Sequence, residues 1–188
     1  MAKSNKLPPI AAIQAMQKLI KRFDNAGVII GGVAVGMISE PRSTADIDAM
    51  FTLELKDLKT FIKAAQTVGF SLRYADAEQF ARERRILLLV HEPTGIEADV
   101  SFGVLPFEFE VIERAIERPL GRLKIRIPTP EDLIIFKALA HRPKDMIDIQ
   151  SIIQANPKLD RKRIRNWVKQ FSEAMEMPEI WEDIAKWL

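Results

Sequence analysis

Apolar side chains at Ile10, Ile13, Met16, Ile20 and Phe23 recur at helical spacing, so the chain is expected to open on an amphipathic helix ended by Gly27. Val28-Ile29-Ile30 then reads as a short buried strand running into a Gly31-Gly32 turn, and Val33 to Ser39 as a brief helix stopped before Pro41. From Asp46 to Leu53 the pattern alternates. As a strand, it puts Asp46, Asp48, Met50 and Thr52 on one face and Ile47, Ala49, Phe51 and Leu53 on the other. Helical spacing returns at Leu55, Leu58, Phe61, Ile62, Ala65 and Val68, with Gly69 as the C-terminal cap.

Phe70 to Tyr74 suits a strand, and Asp76 with Gln79 resembles an N-cap pair for a helix reaching about Arg82. Arg85 to His91 and Ile96 to Phe102 form an antiparallel hairpin around Glu92-Pro93-Thr94-Gly95. Its second strand turns Ile96, Ala98, Val100 and Phe102 to a core, and Glu97, Asp99 and Ser101 away from it. Phe107 to Arg118 is expected as a helix and Leu123 to Ile127 as a final strand. Everything from Thr129 reads helical, starting with an N-cap, a first-turn proline and acids in Thr129-Pro130-Glu131-Asp132. Further helices are expected at about 143–154, 160–174 and 178–188. The expected fold is α/β: a mixed β-sheet with flanking helices over residues 1–128, and a helical C-terminal part over 129–188 packed on it.

Composition narrows this picture. The 188 residues suit one domain, or one with a helical extension, and 47% apolar content supplies a core. A formal charge of +2 argues against polyelectrolyte binding by the whole surface. With no cysteine, disulfides, thiolate metal sites and thiol catalysis are excluded. Met1 to Pro9 lacks the apolar core of a signal peptide, and Val28 to Ile38 is too short and glycine-rich to span a bilayer. A cytoplasmic protein with no membrane partner is the expectation.

The candidate chemistry sits on two stretches. Gly31-Gly32 lets backbone N–H groups approach an anion closely, ahead of a helix N-terminus that favours negative charge. After a spacer of 13 residues, Asp46 and Asp48 offer hard oxygen ligands for a divalent cation. Asp99 joins them if its strand pairs with theirs. Three clustered carboxylates repel one another unless a cation neutralises them. Glu97 shares the face of Asp99 and is the alternative third acid. Arg42, Ser43 and Thr44 lie between the turn and the acids, where a guanidinium and hydroxyls suit phosphate oxygens, although a plain polar loop reads the same way.

Lys137 interrupts Leu133-Ile134-Ile135-Phe136 and Ala138-Leu139-Ala140, a helix apolar on nearly every side. A buried ammonium there needs a phosphate or a site carboxylate as partner; otherwise it snorkels to solvent. Exchanging it for Met is expected to cost below about 1.5 kcal/mol on volume grounds. Asp145 and Asp148 share a helix face near a helix start, a structural role that accounts for both; alternatively Arg142, Lys144 or Asp145 positions Lys137 or substrate. The basic run Asp160 to Lys169, with Trp167, is either a solvated face or an RNA contact.

Ile30-Gly31-Gly32, then Asp46-Ile47-Asp48, then Asp99 resembles the signature of the DNA polymerase β-type nucleotidyltransferase superfamily. Within it, Lys137-Ala138-Leu139-Ala140 followed by Arg142-Pro143-Lys144-Asp145 and Asp148-Ile149 resembles the AbiEii-type toxin nucleotidyltransferases and related uncharacterised bacterial proteins. The likeness covers about residues 27 to 155. Where many relatives carry Ser, this chain has Gly32, so that hydroxyl is missing. The resemblance implies NMP transfer from an NTP to an acceptor hydroxyl, with Mg²⁺ (or Mn²⁺) on Asp46, Asp48 and Asp99, and Asp99 drawing the acceptor proton. Gly31, Gly32, Arg42, Ser43, Thr44 and Lys137 would hold the triphosphate. The implied acceptor is tRNA, a protein or a small molecule, with an antitoxin protein as partner. The alternative is a catalytically silent nucleotide-binding, regulatory or RNA-interaction module of the same fold.

Overall fold

The computed structural model describes residues 7–40 and 43–188. Helix α1 (Ile10–Arg22) leads into strand β1 (Gly27–Ile30), helix α2 (Gly31–Ile38) and strand β2 (Ile47–Phe51). A single 3₁₀ turn precedes α3 (Leu58–Thr67), followed by β3 (Phe70–Leu72), α4 (Ala77–Arg84), β4 (Ile86–His91) and β5 (Ile96–Phe102). Then come α5 (Pro106–Arg114), β6 (Ile116–Leu120), β7 (Leu123–Ile127) and helices α6 (Pro130–Ala140), α7 (Pro143–Ala155), α8 (Arg161–Ala174) and α9 (Glu179–Ala185). The expected α/β class with a mixed sheet is the one observed.

Five strands form that sheet in the order β1-β2-β5-β4-β3. Only β2 and β5 run parallel; every other pairing in the sheet is antiparallel. The β2/β5 register sets Asp48 opposite Asp99, and Ile30 at the end of β1 opposite Asp48. Residues opposite one another share a sheet face, so the register alone brings both acids to one side. Ile47, Ala49 and Phe51 with Ala98, Val100 and Phe102 fill the other side and are buried. There Phe61 packs edge-on against Phe51 at 4.8 Å and Phe102 at 5.4 Å.

Several sequence expectations change in detail. Strand β2 starts at Ile47, so Asp46 stands just before it on exposed chain. The acid face is not wet throughout: Met50 shares it and is buried, as suits a central strand with helices packed around it. Helix α2 begins at Gly31 itself, so the two glycines are its first residues rather than a turn ahead of it. Finally, residues 116–118 are not the end of a helix. Helix α5 stops at Arg114, and β6 pairs with β7 as a separate hairpin that opposes Pro119 to Lys124. Pro119 removes a backbone donor and cannot extend the helix, but it is tolerated in a two-stranded edge. Asp76, expected as a bonded N-cap, makes no side-chain cap bond; Gln79 instead donates to Glu83.

The helices after Thr129 place the second half of the site. Thr129 Oγ1 accepts the backbone N–H of Asp132 at 3.3 Å and Pro130 follows, the expected start of α6. His141 ends α6 in a left-handed conformation, φ +48°, and only Arg142 separates it from α7. Both α6 and α7 pack against α2. The end of α6 and the start of α7 thereby lie close to the glycines of α2.

Candidate active site

A cavity of about 370 Å³ opens where β2, β5, α2, α6 and α7 meet. Its lining includes Asp46, Asp48 and Asp99 from the β2/β5 side of the sheet, an acid wall, and Lys137, Arg142 and Lys144 from the α6/α7 side, a basic wall. Gly31, Gly32, Ser43 and Thr44 complete its rim. The structure thus brings together every site residue expected from the sequence except Arg42, which lies outside the described residues. Glu97 is not on this wall; it stands on the same face of β5 but two residues further from the site, and Arg73 holds it.

Gly31 is fixed by geometry. Its φ is +62°, and a Cβ placed on it would stand 1.8 Å from Asp48 Oδ2. Backbone and carboxylate can be this close only without a side chain at residue 31. Asp48 is half-buried. Burial first, then the charges of Asp46 and Asp99, push its carboxyl above the usual aspartate range, while Lys137 and Lys144 pull it down. Thr44 Oγ1 donates to Asp46 Oδ1 at 2.7 Å, so this hydroxyl orients a carboxylate in the ligand-free protein.

Lys137 does not snorkel. It is 5% exposed, and its Nζ lies 2.8 Å from Asp145 Oδ1 and 2.9 Å from Asp148 Oδ2. The counter-charge is therefore the acid pair at the start of α7, not Asp46 or Asp48. Asp145 also accepts from Arg142 Nε at 2.6 Å and from the Arg142 backbone at 3.3 Å. Burial raises the Asp145 carboxyl, but the hydrogen bonds from Arg142 and Lys137 and their charges outweigh it, leaving it below the usual range. In turn the Asp145 hydrogen bond raises the Arg142 guanidinium, burial opposes this, and the charges of Asp145, Asp48 and Asp148 add to the rise. The chain stretch Arg142-Pro143-Lys144-Asp145 with Asp148 is thus a cradle for Lys137.

Sequence reasoning missed Arg73. It follows β3 on the sheet edge, yet its guanidinium crosses β4 and meets Asp99 Oδ1 at 2.5 Å. No local pattern marks it, because the contact depends on the register of three strands. Within the basic run on α8, Arg163 is tied into the fold: it bonds buried Asp132 at 2.6 Å and Glu110 at 2.6 Å, while Arg161, which donates to Leu188 O at 2.6 Å, and Lys162, Arg165 and Lys169 stand exposed, as a solvated face would. Trp167 packs against Phe107 and Phe171.

A chain that sets a glycine helix start, paired acids and a basic wall around one polar cavity has the architecture of a nucleotidyltransferase. It belongs to the family described as nucleotidyltransferase of unknown function (DUF6036), whose model matches residues 10–183, and is thus an enzyme of the nucleotidyltransferase class. Among solved structures, the antibiotic-resistance factor ANT(2'')-Ia aligns with a TM-score of 0.57 at 14% identity, over 90% of this chain and 96% of that one. The same protein in complex with adenylyl-2''-tobramycin aligns at 0.57 and 13% identity, over 88% and 98%. An antigenic nucleotidyltransferase-like protein from Paracoccidioides brasiliensis aligns at 0.55 and 14% identity, over 94% of each chain. At such identities the likeness is one of fold. No functionally curated protein matches. Among the described residues, no helix is long and apolar enough to cross a membrane.

Proposed function

We propose that this protein transfers an NMP from an NTP to an acceptor hydroxyl in a reaction dependent on Mg²⁺ or Mn²⁺. The observation that carries this is one cavity lined both by acids from the β2/β5 side and by cations from the α6/α7 side. A metal triphosphate is a cation joined to a polyanion and needs both. The donor set fits a hard divalent ion: all oxygen, with half-buried Asp48 beside two like charges that a cation would relieve. Among the described residues no three acids or histidines stand close enough together to ligate an ion as they are, so binding would have to draw Asp46, Asp48 and Asp99 together. When bound, the metal ions would polarise the α-phosphate and favour ionisation of the attacking hydroxyl.

The chain's residues then divide the work, the acids and Arg42 coming from residues 1–128 and Lys137, Arg142 and Lys144 from 129–188. Asp46, Asp48 and Asp99 hold the metal ions. Gly31 and Gly32 present the N-terminus of α2, and Ser43 and Thr44 the chain just before β2, to phosphate oxygens, with Arg42 assigned the same partner from the sequence. Lys137, Arg142 and Lys144 meet the charge gathering on the leaving group. The acceptor oxygen bonds to the α-phosphorus as the bond from that phosphorus to the β-phosphate bridging oxygen breaks. Pyrophosphate leaves, and Asp99 takes the acceptor proton.

The Lys137 cradle uses the residues that resemble the AbiEii-type toxins, which makes tRNA the first acceptor to test and an antitoxin the partner to seek, in the cytoplasm. A small-molecule acceptor, as for the solved neighbour captured with adenylyl-2''-tobramycin, is the contrasting outcome. Incubation with each α-labelled NTP, Mg²⁺ and either tRNA or a small-molecule fraction of cell lysate tests it. Label in tRNA supports the proposal in full, and label in a small molecule keeps the transfer but overturns the acceptor. No label from any NTP in either pool or in whole lysate overturns the reading.

Gly31→Ala is expected to lower turnover about 10²-fold, because its methyl must displace the Asp48 carboxylate by about 1 Å or more. The left-handed backbone adds about 1–2 kcal/mol of destabilisation. Steady-state kinetics and thermal melts check both; wild-type kcat in this variant would contradict the placement of Asp48.

The raised Asp48 carboxyl sets a pH dependence. Folded, ligand-free protein keeps a proton there that the unfolded chain has lost, so this group's contribution to stability falls as pH rises from about 3.9 through the raised value. Metal nucleotide needs the charged form, so its stabilisation of the fold should fade as pH drops through that same raised value. The midpoint of the Mg-NTP-induced Tm shift should therefore lie above about 3.9. It should move higher still in Lys144→Met, which removes a charge that lowers Asp48. A midpoint at or below the ordinary aspartate value, unmoved by that substitution, would contradict this.

A further inference from the structure

A row of residues crosses the sheet on the acid face. The Arg73 backbone N–H bonds Leu88 O at 3.0 Å, Leu88 lies opposite Asp99, and Asp99 lies opposite Asp48. Side chains in such a row point the same way. The first member is a cation and the last two are the acids proposed to hold metal.

The Arg73 guanidinium is fixed on three sides. Nε and Nη2 both donate to the Leu89 carbonyl, at 3.3 and 3.2 Å. Nη1 meets Glu97 Oε2 at 3.2 Å, and Nη2 meets Asp99 Oδ1 at 2.5 Å. The Arg73 side chain is only 14% exposed, whereas Asp99 is 43% and Glu97 58% exposed. The arginine is therefore the anchored partner, and the carboxylate is the group being held. A charged hydrogen bond to a planar, preorganised fork fixes the orientation of the acid it binds. A carboxylate that accepts on one oxygen keeps the other for a ligand or a proton.

We infer that Arg73 is the positioning residue for Asp99: it holds Oδ1 so that the rest of the carboxylate serves the cavity as metal ligand and proton acceptor. Glu97 assists from outside the site by holding the opposite edge of the guanidinium. Arg73 also supplies a resident positive charge to a patch of three acids, and allows Asp99 to stay near Asp46 and Asp48 before any metal arrives. The inference rests on the nucleotidyltransferase reading and adds to it a residue that touches neither nucleotide nor acceptor.

The test uses Arg73→Met, which keeps most of the stem and removes the fork, and Arg73→Lys, which keeps the charge alone. Mn²⁺ binding to the full-length protein with a non-hydrolysable NTP analogue is measured by calorimetry, in wild-type and Asp99→Asn backgrounds. Loss of an orienting contact to a metal ligand typically costs 10–100-fold in affinity or activity. Arg73→Met should weaken Mn²⁺ binding about 10-fold and lower kcat at least as much, with KM for the nucleotide within about 3-fold. Arg73→Lys should recover part of kcat. In the Asp99→Asn background, Arg73→Met should change Mn²⁺ binding little, because the residue it positions is already altered. A merely structural arginine would cost the same in both backgrounds, and that result, or wild-type Mn²⁺ binding in Arg73→Met, overturns the inference. If the wild-type protein itself binds no metal nucleotide and transfers no label, the broader reading falls and this inference falls with it. If wild type does both and Arg73→Met matches it, only the role of Arg73 is lost.

Discussion

Asp46→Ala and Asp48→Ala should each yield a folded protein in which metal-dependent nucleotide transfer falls by at least about 10²-fold. Changes one layer out from a metal typically cost 10–100-fold, and these residues are proposed as the ligands themselves. The fold should tolerate the loss. Asp48 is a half-buried acid whose charged form is penalised first by desolvation and then by Asp46 and Asp99, so its removal relieves repulsion in the ligand-free protein. Asp46 stands on exposed chain, and its described hydrogen bond is to Thr44. The ligand-free Tm should therefore stay within a few degrees of wild type, since each kcal/mol shifts it by about 2–4 °C at this chain length. Unchanged transfer in both variants would remove these acids from the chemistry.

Lys137→Met is expected to have the largest effect on stability. By volume the exchange looked mild, at under about 1.5 kcal/mol, but the structure reverses that expectation. The ammonium lies between Asp145, which is fully buried, and Asp148, 3% exposed. Deleting one partner of a buried ion pair leaves an uncompensated charge and costs about 3–5 kcal/mol. Asp145 keeps Arg142, at 2.6 Å, so the loss should fall near the lower end, about 3 kcal/mol, or roughly 6–12 °C in Tm. Adding Asp148→Asn should recover part of it by removing the charge left behind. Urea melts of the single and double variants check this: a single variant as stable as wild type, or a double variant less stable than the single, would contradict the cradle.

These cases show where the sequence was legible. Alternation in residues 96–102 and 47–51 reported the sheet faces correctly, because each strand buries one side against Phe61 and its neighbours. Thr129-Pro130 marked the start of α6 through chemistry local to that turn. Residues 107–118 misled because the four-residue spacing of Ile112 and Ile116 fits a helix, while Ile116, Arg118 and Leu120 fit a strand equally well. Only Pro119 and pairing with β7 decide between them. The buried state of Lys137 was readable from its apolar helix, and Asp145 was among the residues offered to position it, but the pairing with Asp148 was not, since both acids reach it across a turn set by the left-handed His141. Arg73 was illegible for a stronger reason. Its meeting with Asp99 spans β3, β4 and β5, and register between strands is not written in any one of them.

The central claim, that the acid and basic walls of one cavity carry nucleotide transfer, is tested most directly by α-labelled NTP and the acceptor pool from whole lysate, with Mg²⁺ or with chelator, for wild type and Asp48→Ala. The account predicts label moving to an acceptor and pyrophosphate released in equal amount only for wild type with metal. Transfer that persists with chelator, or that Asp48→Ala carries out at the wild-type rate, would contradict it.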